Sequence, residues 1–327
     1  MITFVTRQTA FGQDIHFSQY QAGLSFFNPG NVGAFSGNYR GALLYRQQWR
    51  SVTVPFVTTG LALDGKIKSN DRKSFNLGLS LYQDKAGDGN LVSNSIQLMP
   101  GYGIHLGSDS TTFLNIGVSL GYLMKGFNFS KYTWDNQFDG EKYDALLTTG
   151  EALSSDNAGA IDLGAGFSFL KRVKENFSIG FGAGAMHINS PQFRFVNSAN
   201  AKYPMHLMAS LFTSHQVNRQ FTLTPSVAYM KQQSLTEVMA GANAFWKTKK
   251  ATALIRGVKA GLHYRLNDAA IAMVGCMIGN FDAGISYDVN ISDWKRATNN
   301  RGATEVSLVY TFSKIKKIKP SVPCIIN

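Results

Sequence analysis

The sequence predicts an all-β fold, a transmembrane antiparallel β-barrel of about 14 strands. Three observations carry that prediction. Segments that alternate apolar and polar residues recur along most of the chain, which is the period of a strand with one dry and one wet face. Of the 327 residues 44% are hydrophobic and 12% aromatic, only 16% are charged, and Gly occupies 32 positions. That balance suits a wall with lipid outside and water inside. No run approaches the ~18 apolar residues of a spanning helix, and the mean hydropathy of −0.10 is no objection when half of each strand faces a polar lumen.

Residues 1–12 (MITFVTRQTAFG) read as a truncated, signal-like segment. The first residues lack positive charge and the apolar stretch is short, but Ala10-Phe11-Gly12 offers a small-x-small cleavage site. The expected mature chain therefore starts at Gln13. Residues 13–37 carry little regular pattern and an Asn28-Pro29-Gly30 turn signal, and predict an N-terminal periplasmic arm or a lumen plug. The barrel is expected over 38–312. A basic periplasmic tail, 313–327, follows.

Within the barrel the alternation predicts strands at 38–46, 56–66, 75–83, 94–106, 112–122, 159–170, 176–188, 205–217, 220–232, 235–246, 251–265, 269–279, 280–289 and 301–312. Their even number suits antiparallel closure with both termini on one side. In 301–312, Val306, Leu308, Tyr310 and Phe312 point one way while Glu305, Ser307 and Thr311 point the other. Phe75, Leu77, Leu79 and Leu81 face out against inward Asn76, Gly78 and Ser80. Ile161, Leu163, Ala165, Phe167 and Phe169 face out against Asp162, Gly164, Gly166 and Ser168. Asp282, Gly284, Ser286 and Asp288 form a further inward set. A soluble sandwich alternates as well, so loop lengths are an independent check. With periplasmic termini, the turns 67–74, 107–111, 171–175, 218–219, 247–250 and the 279/280 join fall inside and are all short, as barrels require. The longest connection, 123–158, falls outside, as do 189–204 and 290–300.

Charge divides between the ends. The formal charge is +12. Lys68, Arg72, Lys73, Lys171, Arg172, Lys174, Arg219, Lys247, Lys249, Lys250, Lys314, Lys316, Lys317 and Lys319 lie on the periplasmic turns and tail, against Asp71, Asp109 and Glu175. The outside loop 123–158 carries Asp135, Asp139, Glu141, Asp144, Glu151 and Asp156 against Lys125, Lys131 and Lys142. A basic rim suggests an anionic periplasmic partner, or cations that solubilise the turns and pin the barrel at the interface. Nucleic acid is not expected, since the basic residues sit on turns with no binding module.

No catalytic or metal pattern emerges. His16, His105, His187, His206, His215 and His263 form no H-x-x-x-H pair. Gly180, Gly182 and Gly184 lie inside a strand pattern and open no helix, so a phosphate loop fails its context and strand bending or close packing in the lumen is the better reading. Asp84–Asn90 (DKAGDGN) lacks a full calcium loop and reads as a hairpin turn. Nothing local marks a nucleophile with its base, so an enzyme is not expected. Cys276 and Cys324 provide no disulfide framework. No cofactor is expected.

Eight segments in order resemble the PorP/SprF family of type IX secretion system outer-membrane proteins. They are HFSQYQAGLSFFNPG (16–30), GNYRGALLYRQQWRSV (37–52), DKAGDGN (84–90), DNQFDG (135–140), HINSPQ (187–192), YRLNDA (264–269), GISYDVNIS (284–292) and GATEVSLVYTF (302–312). The resemblance runs from about residue 13 to the C-terminus. Asn28-Pro29-Gly30 stands where the family usually has Asn-Pro-Ala, and the tail ends PCIIN where the family tends to place Cys followed by Pro. The resemblance implies a non-enzymatic accessory barrel that assists type IX export or surface attachment of cargo such as large adhesins, in some members with gliding motility. It implies partnership with periplasmic ring lipoproteins and a peptidoglycan-binding protein, besides outer-membrane lipid. A passive porin or solute channel is the alternative that the polar lumen allows. Candidate partner contacts are Arg46, Trp49 and Arg50 at the first outside loop, Trp134, Asp135, Phe138 and Asp139 on the long acidic loop, and Lys171, Arg172, Lys174, Lys316 and Lys317 on the basic side. Arg with aromatics is a composition favoured at protein contacts; for the first group an aromatic belt with a lumen ion pair is the competing reading.

Overall fold

The computed structural model describes residues 14–313 apart from 53, 71, 88–90, 108–110, 128–131, 151–156, 197–198, 250–253 and 294. Fourteen antiparallel strands close into a barrel. The first seven are Tyr39–Gln48 (β1), Phe56–Ser69 (β2), Lys73–Ala86 (β3), Leu91–Leu106 (β4), Thr112–Gly126 (β5), Asn157–Lys174 (β6) and Phe177–Met186 (β7). Gln192–Val196 (β8) and Ala199–Lys202 (β9) then form a separate two-stranded hairpin. The wall resumes with His206–Gln216 (β10), Phe221–Gln232 (β11), Leu235–Lys247 (β12) and Ile255–Arg265 (β13). Ala269–Ile278 (β14), Phe281–Asn290 (β15) and Arg301–Phe312 (β16) complete it. Each wall strand pairs with its neighbour in the chain, and β1 closes on β16 with Tyr39 opposite Phe312 and Gln48 opposite Ala303.

The closed ring leaves no sheet edge, the condition for a sheet to stand in lipid. Its period-two pattern separates the faces as the sequence predicts. On β16, Val306, Leu308, Tyr310 and Phe312 are 38–44% exposed while Glu305 and Ser307 are 1% and 2% exposed. Asn76, Ser80, Asp162, Ser286 and Asp288 are likewise buried toward the lumen. Outward aromatics gather at both ends of the wall: Tyr39, Phe75, Tyr102, Trp246, Phe281 and Phe312 at one, and Tyr45, Tyr122, Tyr229, Tyr264 and Tyr287 at the other. Aliphatic Leu43, Leu98, Val118, Val274 and Ile285 lie between them. Two aromatic girdles around an apolar band are the signature of a membrane barrel.

The rim where β1 begins and β16 ends is called near, the opposite rim far. Several predicted ends shift. The expected turn 171–175 is mostly strand: β6 runs to Lys174 and leaves Glu175 and Asn176 to turn. The expected loop 189–204 contains the β8–β9 hairpin. Residues 1–12 and 314–327, including the signal-like segment and most of the basic tail, lie outside the described residues.

Candidate functional site

The lumen is occupied by the chain's own N-terminal residues, 14–38. Asp14 lies at the far mouth, where its backbone N–H donates to Gln232 Oε1 at 2.8 Å. Midway, Gln21 Nε2 donates to Ser226 Oγ at 2.7 Å and its Oε1 accepts from Asn243 Nδ2 at 2.7 Å. Phe17 and Phe27 are buried to 0% and 1% exposure and form an aromatic core with Phe26. Short 3-10 turns, Tyr20–Phe26 and Pro29–Asn31, compact the segment. Toward the near rim, Gly33 N–H donates to Asp64 Oδ2 at 2.7 Å, and Asn38 N–H donates to the Phe312 carbonyl at 2.8 Å. The segment therefore runs the length of the lumen before the chain reverses into β1.

The Asn-Pro-Gly motif fits this path. Asn28 Oδ1 accepts from Gly30 N–H at 2.8 Å, capping the Pro29–Asn31 turn, and its amide donates to the Phe167 carbonyl at 2.9 Å. A Cβ at Gly30 would collide with the Phe167 backbone, and Cβ atoms at Gly117, Gly166 and Gly184 would collide with residues 27–30. Gly184 belongs to the β7 glycines for which the sequence offered strand bending or close packing, and at Gly184 close packing against the segment is the use. Family-typical Ala at position 30 would force a local shift in this chain.

A buried charge cluster holds the segment toward the far rim. Ser18 Oγ accepts from Arg46 Nη1 at 3.0 Å and Arg265 Nη2 at 2.6 Å, and donates to Asp288 Oδ2 at 2.7 Å. Ser18 and Gln19 N–H groups donate to the two Glu305 oxygens at 2.6 and 2.9 Å. Arg46 completes an ion pair with Glu305 and sits 3.1 Å from Asp288, while Arg265 is 3.2 Å from Asp288 and 3.1 Å from Asp268. His16 Nε2 lies 3.0 Å from Arg46 Nη2. Two guanidinium and several carboxylate groups thus satisfy one another along one side of the bore, on β13, β15, β16 and β1, which is what permits charge at such burial.

A second lock closes the far mouth. The Asp14 carboxylate meets His187 Nε2 at 2.9 Å, His206 Nδ1 at 3.2 Å and the Tyr203 hydroxyl at 3.2 Å. His187 Nδ1 meets Asp162 at 2.9 Å, so one imidazole bridges two carboxylates. Burial disfavours the imidazolium, but the Asp14 charge and hydrogen bonds to both carboxylates outweigh it and hold the His187 pKa at about 9. Burial would raise the Asp14 carboxyl; His187 and His206 instead hold it well below the usual carboxylate range. His187 sits just beyond β7 with φ 58°, in the tight turn that precedes the β8–β9 hairpin. In that turn Asn189 donates to the Ile161 carbonyl at 2.7 Å and accepts from Leu163 N–H at 3.1 Å, mimicking a strand where β7 has ended. The hairpin lays Phe193 against Leu123 and Tyr203, and the Lys125 ammonium stands 3.6 Å from the Tyr203 ring centroid. Among the described residues no group of three or more His, Cys, Asp or Glu is arranged to hold a metal ion.

The expected partner contacts divide. Arg46 is not a rim residue: it is 2% exposed and spent on Glu305, Asp288 and Ser18, so the competing lumen ion pair replaces the partner reading. Trp49 is half-buried against Phe56, with ring centroids 5.0 Å apart, and Arg50 is exposed at the far rim. Asp135, Phe138 and Asp139 are exposed and Trp134 half-buried on the long far-rim loop. That loop folds around Gln137, which donates to the Ala145 and Leu147 carbonyls and accepts from the Tyr143 hydroxyl. Backbone N–H groups of Lys142 and Glu141 hold the Asp139 carboxyl below its ordinary range. The acidity belongs to this loop and not to the whole rim, because Arg50, Lys295, Arg296 and Arg301 stand exposed elsewhere on it. Lys171, Arg172 and Lys174 are exposed at the near-rim end of β6. Lys316 and Lys317 lie outside the described residues. Sequence reading missed Ser18, Asp14, His187 and their partners. The available signal was charge at inward strand positions: Arg46, Asp162, Arg265, Asp288 and Glu305.

Geometry and surface define an outer-membrane β-barrel whose lumen holds its own N-terminal segment. The chain belongs to the family described as type IX secretion system membrane protein PorP/SprF, whose sequence profile matches residues 9–310. No curated protein sequence matches it. Similar solved structures include the Ralstonia pickettii toluene transporter TbuX, at 12% identity and a TM-score of 0.50, over 87% of this chain and 92% of that one. A mutant of the monoaromatic hydrocarbon channel TodX, the Pseudomonas putida toluene transporter, is similar at 9% identity and a TM-score of 0.53, over 86% and 91%. The monoaromatic hydrocarbon channel CymD is similar at 10% identity and a TM-score of 0.50, over 93% and 95%. At such identity the likeness is one of fold.

Proposed function

We propose that this barrel is a non-enzymatic accessory of type IX secretion that works through its rims, assisting export or surface attachment of cargo proteins such as large adhesins. Where such an adhesin drives gliding, the same role extends to motility. The observation that carries this reading is the lumen spanned by residues 14–38, with the segment pinned to the wall by the Arg46–Ser18–Asp288–Glu305 cluster. A bore filled along its length and ion-paired toward its far end is poorly suited to passing solute, which leaves the two rims as working surfaces. The short turns of the near rim favour a periplasmic placement. There, exposed Lys68, Arg72, Lys73, Lys171, Arg172, Lys174 and Arg219 suit acidic faces of periplasmic ring lipoproteins or of a peptidoglycan-binding partner. The folded far-rim loop, with Phe138 56% exposed among carboxylates, suits a cargo or surface partner. His187 lies between two carboxylates as a lock on the segment and not as a base beside a nucleophile.

Purification of the tagged protein from its native outer membrane in mild detergent, followed by mass spectrometry, tests this reading. Ring lipoproteins or a large adhesin are expected to co-purify, and deletion of the gene is expected to stop export of selected cargo while small-solute uptake stays normal. A lone barrel that conducts ions in planar bilayers would overturn the proposal in favour of a passive porin.

A further inference from the structure

A cavity of about 350 Å³ lies in the lumen toward the near rim, between the N-terminal segment and the wall. Its walls are mainly apolar, with Leu24 and Phe35 from the segment facing Phe113 of β5 and Phe212 of β10. Into this lining the fold sets one cation, Lys66 of β2, and no carboxylate. Lys66 Nζ donates to the Phe35 carbonyl at 2.8 Å and stands 5.4 Å from the Phe35 ring centroid. It forms no ion pair among the described residues. Asp64, two positions away on the same face, is taken by Arg40 at 2.9 Å and by Gly33 N–H at 2.7 Å. Two further cavity residues have unmet capacity: Asn31 Nδ2 and His105 Nδ1 are buried without a partner.

A half-buried cation whose neighbouring carboxylate is already paired with Arg40, beside an amide donor without an acceptor, is costly unless something brings an acceptor to them. Every unmet group here is a donor or can be one, so the missing partner is an acceptor, and the lone ammonium makes it an anion. The rest of the lining favours hydrocarbon. The volume stands at the low end of the ~300–1,000 Å³ typical of small-molecule sites, which limits the ligand to a compact body. We propose that this cavity binds a small organic carboxylate with an apolar body, its carboxylate on Lys66 and Asn31 and its hydrocarbon against Leu24, Phe113 and Phe212. The site sits where the segment meets the wall, so occupancy adds contacts that span the two. It is independent of the export role: the ligand can bind whether or not the rims carry partners.

The test uses the full chain in lipid nanodiscs and sodium decanoate as probe, titrated calorimetrically below its micelle concentration, with decan-1-ol as the uncharged control. The expected result is saturable binding of one decanoate per barrel, at least tenfold tighter than decanol. Lys66→Met is expected to weaken decanoate at least tenfold and to level it with decanol, while Lys66→Arg restores the preference. Ser210→Phe, which fills the cavity from β10, is expected to abolish saturable binding of both probes. Heat-modifiable mobility in detergent gels identifies variants that keep the folded barrel. Binding that never saturates, equal affinity for acid and alcohol in the wild-type chain, or affinity unchanged in folded Lys66→Met and Ser210→Phe would each overturn the proposal.

Discussion

At the scale of single residues, Ser18 and Glu305 show how far this fold relies on polar satisfaction inside a membrane wall. Glu305 accepts two backbone N–H groups of the segment and pairs with Arg46, all at 1–6% exposure. Removing one member leaves the others desolvated, which costs ~3–5 kcal/mol. Glu305→Ala is therefore expected to lower thermal stability clearly, whereas Thr311→Ala, at the near-rim end of the same strand, is expected to change it little; thermal unfolding in detergent checks both. A second expectation concerns pH. The folded His187 pKa, about 9, stands above its ordinary value of 6.5. Its contribution is thus complete below pH 6.5 and is lost as pH rises through 9, a difference worth roughly 3 kcal/mol at 1.36 kcal/mol per unit. His187→Gln should then be less stable than wild type near pH 6 and converge toward it near pH 10, read from melting temperatures across that range. A gap that stays constant with pH would refute the assignment. None of these partnerships could be read from the sequence. Periodicity says that Glu305 and Arg46 face inward, but a contact such as Ser18 to Glu305 spans 287 positions and follows from strand order alone.

At the scale of elements, the strands were the legible part, because a wall between lipid and water imposes its period on every segment. All fourteen predicted strands exist, and the ends drift where rims rise beyond the membrane, as at Lys174 of β6. The β8–β9 hairpin escaped notice because strands of five and four residues offer too few alternations to stand out. The N-terminal segment was expected as an arm or a plug, but its path was not legible: its burial is dictated by the wall around it, and no period of its own marks it. That segment sets a prediction at this scale. Removing residues 14–34 while retaining β1 takes Ser18 and the aromatic core out of the bore. Stepwise channel currents in planar bilayers are expected from the truncated barrel and not from the full chain. Equal conductance in both would show that the segment does not seal the lumen.

For the whole molecule, function is expected to track the charge of one rim more than the chemistry of any pocket. Lys171, Arg172 and Lys174 stand together at the near-rim end of β6. Exchanging all three for Glu reverses six units of charge on a solvated edge without touching the lumen. Co-purification of periplasmic partners is expected to fall severalfold, with unchanged heat-modifiable mobility. The wild-type association is expected to weaken as salt is raised, since charges on an exposed rim are screened over ~8 Å at physiological ionic strength. Retention of partners by the reversed variant would remove the near rim as their docking face. Here too the sequence was legible by half: it separated basic turns from an acidic loop, but at Arg46 it left a partner contact and a lumen ion pair both open, because inward and outward residues at a strand end differ by a single position.

The clasp around Ser18 bears on how the ring is made. Arg46 stands on the first strand, Glu305 on the last and Asp288 on its neighbour, with Arg46 directly opposite Glu305. Three of the side chains that clasp Ser18 and its neighbour therefore flank the seam where the sheet joins itself. A segment bonded to both lips of that seam cannot be threaded afterwards through a bore this tightly packed. It is expected to be in place as the final strands zip, with the start of the chain as the mandrel on which the cylinder closes.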